Sequence, residues 1–277
     1  MFAIKSRNRT HIFDRPAIMG ILNVTPDSFS DGGRYIQMDN ALRHCESLIS
    51  DGADIIDIGG CSTRPNNAIA TEQEEMERVV PILKAVREAF PKVLISIDTF
   101  RKNVAEACIG EGADIINDIS GGLFDTKMLP YIGENHIPYV MMHCVGTPET
   151  MHQYTLNGDI HQTVMDFFKQ QCRILEAFSN QQIILDPGIG FGKSLEANYQ
   201  LLNSLDRYRY KGYPILIGIS RKSLINKVLG TTPKEADNGT TVLNTISLVN
   251  GADIIRVHDV RKAKEAIELV GMYLKQA

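Results

Sequence analysis

Eight positions along this 277-residue chain carry a polar side chain within a step or two of a short apolar segment. Carboxylates gathered together could stabilise a positive charge that develops during a reaction, and amides or imidazoles could hold a polar ligand. Any single one could instead be a turn or helix-cap residue, and Asp57 is the first to suspect. The repetition nevertheless indicates that chemistry is gathered where these segments end, at Asn23, Asp57, Asp98, Asn117, His143, Asp186, Ser220 and His258.

The apolar segments have the composition of strands that are buried on both faces, as in a parallel sheet. The string Gly-Ala-Asp-Ile-Ile recurs in three of them, and it joins a glycine that can close a helix to the start of a strand. This unit is typical of an α/β protein. The predicted strands cover residues 17–22, 54–58, 93–97, 114–117, 138–142, 182–185, 214–219 and 254–257.

Amphipathic helices are predicted between most of these strands, because apolar residues recur every three or four positions in 72–90, 159–178 and 261–275. The weakest segment, 123–135, predicts a short helix interrupted at Pro130. Alternating strands and helices favour a (β/α)8 TIM barrel over an open doubly wound sheet, since barrel enzymes place their sites where the strands end. We therefore predict a single barrel domain over 1–277, with a short N-terminal extension at 1–16.

The overall composition argues against several classes of function. Apolar residues make up 43% of the chain, so a full core can form, and the net charge of −4 gives no general attraction to nucleic acid or to an anionic membrane. No apolar run has the length of a signal peptide core or a membrane helix. The five cysteines form no C-x-x-C pair that would indicate a zinc site. We expect a cytoplasmic protein that acts on small molecules.

The glycine-rich segment 186–194 ends like a phosphate-binding loop, but Pro187 stands where the first glycine of that motif would be. Its glycines also lack the spacing of a dinucleotide-binding motif. The segment is better interpreted as a tight turn where a flat ligand can approach the backbone closely.

Two longer segments resemble the signatures of a known enzyme family. Ile-Leu-Asn-Val-Thr-Pro-Asp-Ser-Phe-Ser-Asp-Gly-Gly at 21–33 and Asp-Ile-Gly-Gly-Cys-Ser-Thr-Arg-Pro at 57–65 resemble those of the dihydropteroate synthases. The resemblance continues through 96–99, 115–118, 142–143, 186–193, 220–223 and 256–259. It implies a barrel enzyme that joins 4-aminobenzoate to 6-hydroxymethyl-7,8-dihydropterin diphosphate, giving 7,8-dihydropteroate, a folate precursor, and diphosphate. It also implies Mg²⁺ as cofactor, inhibition by sulfonamides and a homodimer.

The resemblance assigns the pterin to four residues. The Asp186 carboxylate can accept two adjacent N–H groups of the pterin edge, since paired bonds to a charged group are strong and directional. Asn117 can donate and accept along the rest of the ring, and Lys222 can bond the pterin carbonyl and a ring nitrogen. Asp98 would lie beside the ring and stabilise a cationic pterin methylene. The catalytic residues that the resemblance implies are Asp98, Lys222 and Arg64.

The diphosphate is assigned to Asn23, Thr63, Arg64, Arg256 and His258. Arg256 and His258 lie two apart on the last predicted strand, so both can face the same side, where they would supply donors to phosphate oxygens. Asn23 matches the family residue that is linked to Mg²⁺ on the diphosphate. Because Mg²⁺ binds readily through substrate phosphates, a single amide oxygen from the protein suffices.

The aminobenzoate requires an apolar slot and a partner for its carboxylate. In the family, two mobile loops close the slot, and they correspond to 24–35 and 60–71 here. Ser223 stands where a helix should begin, so its hydroxyl and the free N–H groups there suit a carboxylate. The residues implied for this substrate are Phe29, Pro65, Gly190, Phe191 and Ser223.

Several alternatives remain open from the sequence. The reaction can be stepwise, with diphosphate leaving first, or a concerted displacement, since both use the same residues. A corrinoid-linked methyltetrahydrofolate methyltransferase would share the pterin site, but the strings at 24–33 and 62–65 disfavour it. A catalytically silent pterin-binding protein would not need the predicted diphosphate residues. Cys61 and Asn66 depart from the Glu and Gly that the family usually has in the second loop.

Overall fold

The computed structural model of the chain describes residues 1–24, 34–61, 69–147, 150 and 159–276, without the side chains of 34–37. Eight parallel strands form one sheet, in the order β8-β7-β6-β5-β4-β3-β10-β9. Only the pair β8 and β9 is incomplete, and a parallel bridge between Leu185 and Ile215 joins them. The sheet therefore closes into the predicted (β/α)8 barrel, and the alternative prediction of an open doubly wound sheet is wrong. The strands are β3 (Ala17–Asn23), β4 (Ile55–Gly59), β5 (Leu94–Asp98), β6 (Ile115–Asp118), β7 (Tyr139–Met142), β8 (Ile183–Asp186), β9 (Leu216–Ile217) and β10 (Ile254–Val257).

Nine α-helices in the described residues surround the sheet. They are α1 (Arg34–Asp51), α2 (Glu72–Ala89), α3 (Lys102–Gly110), α4 (Met128–Glu134), α5 (Ile160–Ala177), α6 (Leu195–Asn203), α7 (Ser223–Leu229), α8 (Asp237–Val249) and α9 (Val260–Leu274). Their apolar faces and the outward side chains of the strands form one large buried cluster. None of these helices is both long and apolar enough to cross a bilayer.

Side-chain caps start several of these helices where the sequence analysis predicts them. Thr71 and Glu74 form a capping box at α2, in which each side chain bonds the other residue's backbone N–H. The Asp159 side chain accepts from two backbone N–H groups of α5, and the Asp259 side chain accepts from one, that of Lys262, in α9. The predicted helices at 72–90, 159–178 and 261–275 are therefore confirmed to within a residue or two.

The helix α4 differs from the prediction that Pro130 interrupts it. The helix is short, seven residues, but it begins at Met128 and continues through Pro130. A proline in the first turn is tolerated because the N–H that it lacks would have no partner within the helix.

The N-terminal extension is an antiparallel hairpin of β1 (Phe2–Ser6) and β2 (Arg9–Phe13). Its Ile4 and Phe13 pack against residues from the beginnings of the barrel strands, which form a separate apolar cluster. The hairpin therefore covers the N-terminal end of the barrel, and the functional residues lie at the opposite end. The cluster consists of Ile4, Phe13, Ala17, Met19, Ile55, Leu94, Ile115, Val140, Ile184, Leu216 and Ile254.

Candidate active site

The centre of the site is a charged cluster that crosses the barrel interior. Arg256 on β10 donates from Nε to Asp57 Oδ2 at 2.6 Å and from Nη2 to Asp98 Oδ2 at 2.8 Å. Asn117 on β6 donates from Nδ2 to the same Asp57 oxygen at 3.1 Å. In the sheet order, β3 separates β10 from β4, and β5 separates β4 from β6. These side chains can meet only because the sheet is curled into a barrel.

Asp57 is not the cap residue that the sequence suggests. It is the third residue of β4 and is fully buried, so its carboxylate faces the Arg256 guanidinium rather than a turn. An unpaired carboxylate at that depth would be strongly disfavoured. Asp57 therefore fixes the Arg256 guanidinium from inside the barrel. Its position in the sequence does not reveal this role.

Burial sets the protonation of this cluster. It raises the pKa of Asp98 to about 7, because desolvation disfavours the carboxylate. The positive charge of Arg256 opposes that shift, and the negative charge of Asp57 adds to it. Burial also lowers the pKa of Arg256, but Asp57 and Asp98 outweigh this effect and raise it above its usual value. Arg256 stays charged, whereas Asp98 can exchange a proton near neutral pH.

A second pair consists of Asp186, the last residue of β8, and Lys222, the residue that precedes α7. Asp186 is buried, and its Oδ1 accepts a hydrogen bond from the Gly188 N–H at 2.7 Å. Burial raises its pKa, and the charge of Lys222 opposes the shift. Burial likewise lowers the pKa of Lys222 to about 8, with Asp186 opposing. The two groups are therefore within electrostatic reach of each other.

The turn between β8 and α6 packs against Lys222. The ammonium donates to the Ile189 carbonyl at 2.5 Å and lies 4.3 Å from the centre of the Phe191 ring, a cation–π contact. Gly190 has a left-handed φ of +85°, and a Cβ atom there would lie 3.1 Å from Lys222 Cδ, so a side chain would be strained and would crowd the lysine. Gly190 and Phe191 thus border the lysine that the sequence analysis assigns to the pterin.

His258 and Asn23 lie at the ends of β10 and β3. His258 Nδ1 is 2.9 Å from Ser220 Oγ, and the same oxygen accepts from the His258 backbone N–H at 3.3 Å. Gly59, at the end of β4, lies near both Asn23 and Asp98: a Cβ atom there would be 3.7 Å from Asn23 Oδ1 and 3.6 Å from Asp98 Oδ2. The amide of Asn23 and the carboxylate of Asp98 therefore flank the same point at the end of the barrel.

Comparison with known proteins identifies the family. The model of the pterin-binding enzyme family matches residues 19–258. A dihydropteroate synthase of Streptococcus pyogenes serotype M6 is 42% identical over 262 residues, which is 93% of this chain and 96% of that protein. One from Synechocystis is 43% identical over 249 residues, 89% of this chain and 86% of that protein.

The chain belongs to the dihydropteroate synthase family.

Solved structures agree with this assignment over the whole fold. The Yersinia pestis dihydropteroate synthase, solved as a complex with a sulfonamide drug, has a TM-score of 0.91 and 39% identity and covers 99% of this chain and 100% of its own. A Clostridium difficile dihydropteroate synthase, solved in the presence of pteroic acid, has a TM-score of 0.88 and 39% identity. It covers 95% of this chain and 99% of its own.

The dihydropteroate synthase barrel brings most of the predicted site residues to one end. Asp98, Asn117, Asp186, Lys222 and Arg256 converge there, and His258 lies beside Ser220. Ser223 begins α7 as predicted and is exposed. Four predicted residues lie outside the described residues, namely Phe29, Thr63, Arg64 and Pro65.

The described residues contain no group of three or more acidic, histidine or cysteine side chains that could hold a metal ion by themselves. Mg²⁺ often keeps several waters and binds through substrate phosphates with one or two protein oxygens. The Asn23 amide, at the end of β3, carries an oxygen of the kind that such an ion prefers.

Two residues of the site have no role in the sequence analysis. Asp57 stands mid-strand, and its partner Arg256 is 199 residues away in the chain. Lys193 follows the glycines of the β8–α6 turn and resembles a surface lysine in the sequence. The depth of Asp57 within a predicted buried strand is the one signal that could have drawn attention to it.

Proposed function

We propose that this protein is a dihydropteroate synthase that transfers the dihydropterin-6-ylmethyl group of 6-hydroxymethyl-7,8-dihydropterin diphosphate to the amine of 4-aminobenzoate, with release of diphosphate. The observation that carries the proposal is the convergence of the Asp57–Arg256–Asp98 cluster and the Asp186–Lys222 pair at the open end of a barrel of this family. The relatives compared are named dihydropteroate synthases, which disfavours the methyltransferase and the silent binder.

The pterin would be held by groups whose orientation is already fixed. Asp186 would accept two N–H groups of the pterin edge, and Asn117 would bond the next part of the ring. Lys222 would donate to the pterin carbonyl from the position that the Ile189 carbonyl now gives it. All three groups have restricted side chains in the free protein, so little conformational entropy is lost when the pterin binds.

Asp98 and Arg256 would act on the reacting carbon and the leaving group. In the free protein their charges neutralise each other. A bound diphosphate offers Arg256 a better acceptor, which would release the Asp98 carboxylate towards the pterin methylene. A carboxylate in such a partly dry site stabilises a developing cation. This division of roles serves the stepwise route, and a concerted displacement would use the same two residues.

Mg²⁺ is the cofactor that we propose for the diphosphate, with Asn23 as its protein ligand. When bound, the ion would neutralise charge on the leaving diphosphate. Arg256 and His258, together with Thr63 and Arg64, would supply the remaining donors to the diphosphate oxygens.

The amine of 4-aminobenzoate would attack from a slot bordered by Phe29, Pro65, Gly190 and Phe191, with its carboxylate at Ser223. Sulfonamides share the shape of this substrate, and a sulfonamide is present in the compared Yersinia pestis structure. We therefore propose that sulfonamides inhibit this enzyme in competition with 4-aminobenzoate.

We also propose that the protein is a cytoplasmic homodimer. Apolar side chains on α8 and α9 form one exposed face, which we call the α8–α9 face: Val242, Ile246, Val249, Leu269, Met272 and Tyr273. A contiguous face of this kind is rare on a monomer. A second copy of the chain would cover it, as the resemblance to a commonly dimeric family implies.

The experiment that tests the function measures diphosphate release from the dihydropterin diphosphate with Mg²⁺, in the presence and absence of 4-aminobenzoate, together with product detection. We expect stoichiometric 7,8-dihydropteroate that requires 4-aminobenzoate. Pterin binding without product would contradict the proposal and direct the next assay to methyl transfer from methyltetrahydrofolate.

A further inference from the structure

Lys193 has a chemical environment that the proposed mechanism does not explain. Its ammonium donates to three backbone carbonyls, those of His143 at 3.0 Å, Gly188 at 2.8 Å and Phe191 at 3.1 Å. A lysine ammonium has three donors, so this one is fully used. No acidic side chain bonds to this partly buried cation among the described residues. The ammonium therefore holds three backbone carbonyls in fixed positions.

The three carbonyls belong to two different parts of the chain. His143 follows β7, whereas Gly188 and Phe191 are in the turn between β8 and α6. The two segments already touch closely, because a Cβ atom at position 188 would lie 1.8 Å from the His143 carbonyl oxygen. Lys193 thus ties the turn to the end of the neighbouring strand at the point where they meet.

Asn198 holds the same turn from the side of α6. Its Oδ1 accepts from the Gly190 N–H at 2.6 Å, and its Nδ2 donates to the Ser194 carbonyl at 2.7 Å. The turn contains three glycines with left-handed φ, at +70°, +85° and +66° for residues 188, 190 and 192. Such a backbone has many conformations available, so its geometry depends on the side chains that bind it.

The turn determines how two site residues are presented. Its Gly188 N–H donates to Asp186, its Ile189 carbonyl accepts from Lys222, and its Phe191 ring packs against the Lys222 ammonium. A displacement of the turn would move all three contacts together. Asp186 and Lys222 are the residues to which we assign the pterin edge and carbonyl.

We propose that Lys193 is a positioning residue for pterin recognition: its ammonium joins the end of β7 to the β8–α6 turn and thereby fixes Asp186 and Lys222 in the arrangement that binds the ring. The proposal rests on the proposed function, because it assumes that the ring binds to these two residues. Lys193 itself does not touch the substrate.

The test is Lys193→Met, which keeps an unbranched side chain only one atom shorter but has no donor. We expect the KM for the dihydropterin diphosphate to rise by about tenfold or more, with kcat at saturation reduced by less than about threefold. The affinity for 6-hydroxymethyl-7,8-dihydropterin, which lacks the diphosphate, should fall in parallel. Calorimetry measures this affinity. Lys169→Met, at a surface position on α5, is the matched control and should leave these values unchanged.

The outcomes separate positioning from simple structural support. A lower melting temperature with KM and pterin affinity equal to the parent would overturn the proposal, and so would a loss confined to kcat. If Lys193→Met does not fold, Lys193→Gln takes its place, because its shorter side chain cannot bring a donor to all three carbonyls. A parental KM in that variant would also overturn the proposal. Failure of the parent enzyme to form dihydropteroate would instead contradict the proposed function.

Discussion

The protonation of Asp98 is the residue-scale feature with the clearest consequence for activity. Burial raises the pKa of Asp98 to about 7, and only the carboxylate form can stabilise the pterin cation. We therefore expect kcat/KM for the pterin substrate to rise as the pH increases through about 7. Asp98→Asn should reduce turnover by about 100-fold and remove this limb of the profile, because the group that titrates is gone.

The exposed Asp166→Asn on α5 is the control for that substitution and should retain the parental profile. An unchanged rising limb in Asp98→Asn would show that another group titrates. The same pKa also affects stability. The folded-state pKa of Asp98 lies above the unfolded value, so its contribution is fully present below pH 3.8 and is lost as the pH rises through about 7.

Asp57 is predicted to tune Asp98 through charge. The negative charge of Asp57 raises the pKa of Asp98. Asp57 also forms an ion pair with Arg256 at 2.6 Å, which is shorter than the 2.8 Å pair between Arg256 and Asp98. Asp57→Asn should therefore move the rising limb of the pH profile to lower pH. It should also reduce the free energy of unfolding by about 3 kcal/mol, since it breaks a buried ion pair.

Urea denaturation and the pH dependence of kcat/KM measure these two effects of Asp57→Asn separately. A limb that stays at the parental pH, in a folded variant, would contradict the charge coupling between Asp57 and Asp98.

The sequence predicts the residue types of the site better than their pairing. Asp98, Asn117 and Asp186 could be identified because each ends an apolar segment, where a barrel gathers its functional side chains. The pairing of Asp57 with Arg256 could not, since the two are 199 residues apart and meet only across the closed barrel. A local pattern carries no information on which strands face each other through the interior.

At the scale of elements, the β8–α6 turn is predicted to tolerate no side chain at Gly188. Gly188→Ala would strain a left-handed backbone at φ +70° and place Cβ 1.8 Å from the His143 carbonyl oxygen. The turn must then move, and with it the contacts to Asp186 and Lys222. We expect at least a tenfold loss, on the order of 1.4 kcal/mol, in kcat/KM for the pterin substrate.

Gly212→Ala is the matched control for this substitution. Gly212 has a similar φ of +78°, but no atom lies within 4 Å of its Cβ position, so only the backbone strain of about 1–2 kcal/mol applies. The control should lower the melting temperature and leave the KM unchanged. Equal kinetic effects at both positions would mean that strain, rather than displacement of the turn, is responsible.

The sequence predicts two kinds of element well: helices in which apolar residues recur every three or four positions, and strands made almost entirely of apolar residues. Seven barrel strands begin within one residue of their predicted positions. Polar residues on either side of a fully apolar segment mark where the strand can begin and end. β9 is shorter than predicted, two residues instead of six, since it pairs fully with β10 but only through one bridge with β8. The N-terminal hairpin was missed because only Ile4 and Phe13 of its strands are buried.

At the scale of the whole molecule, the two ends of the barrel have opposite character. The N-terminal end is apolar and covered by the hairpin, whose Ser6 and Arg7 also bind Asp114 at 2.7 Å each. The C-terminal end holds the charged cluster. Stability and chemistry are thus separated along the barrel axis, which allows the active end to carry the desolvated charges of Asp98 and Lys222.

The α8–α9 face is the surface on which we propose that a second copy of the chain packs. Leu269 and Met272 are 72% and 62% exposed, on a helix packed beside α8 with its own exposed Val242 and Ile246. A second copy would bury these side chains, at roughly 25 cal/mol for each Å² of apolar surface removed from water. Leu269→Glu would place a charge in that apolar interface and should convert the dimer to monomers, as measured by sedimentation velocity.

Ile174→Glu on α5 is the matched control, since Ile174 is an exposed apolar helix residue outside the α8–α9 face. It should leave the association state of the parent unchanged. A parent that sediments as a monomer would refute the dimer, and a dimer that persists in Leu269→Glu would assign the interface elsewhere. The active site lies within one barrel, so we expect the Leu269→Glu monomer to keep measurable activity, with its main loss in thermal stability, because dimerisation stabilises the folded state by mass action.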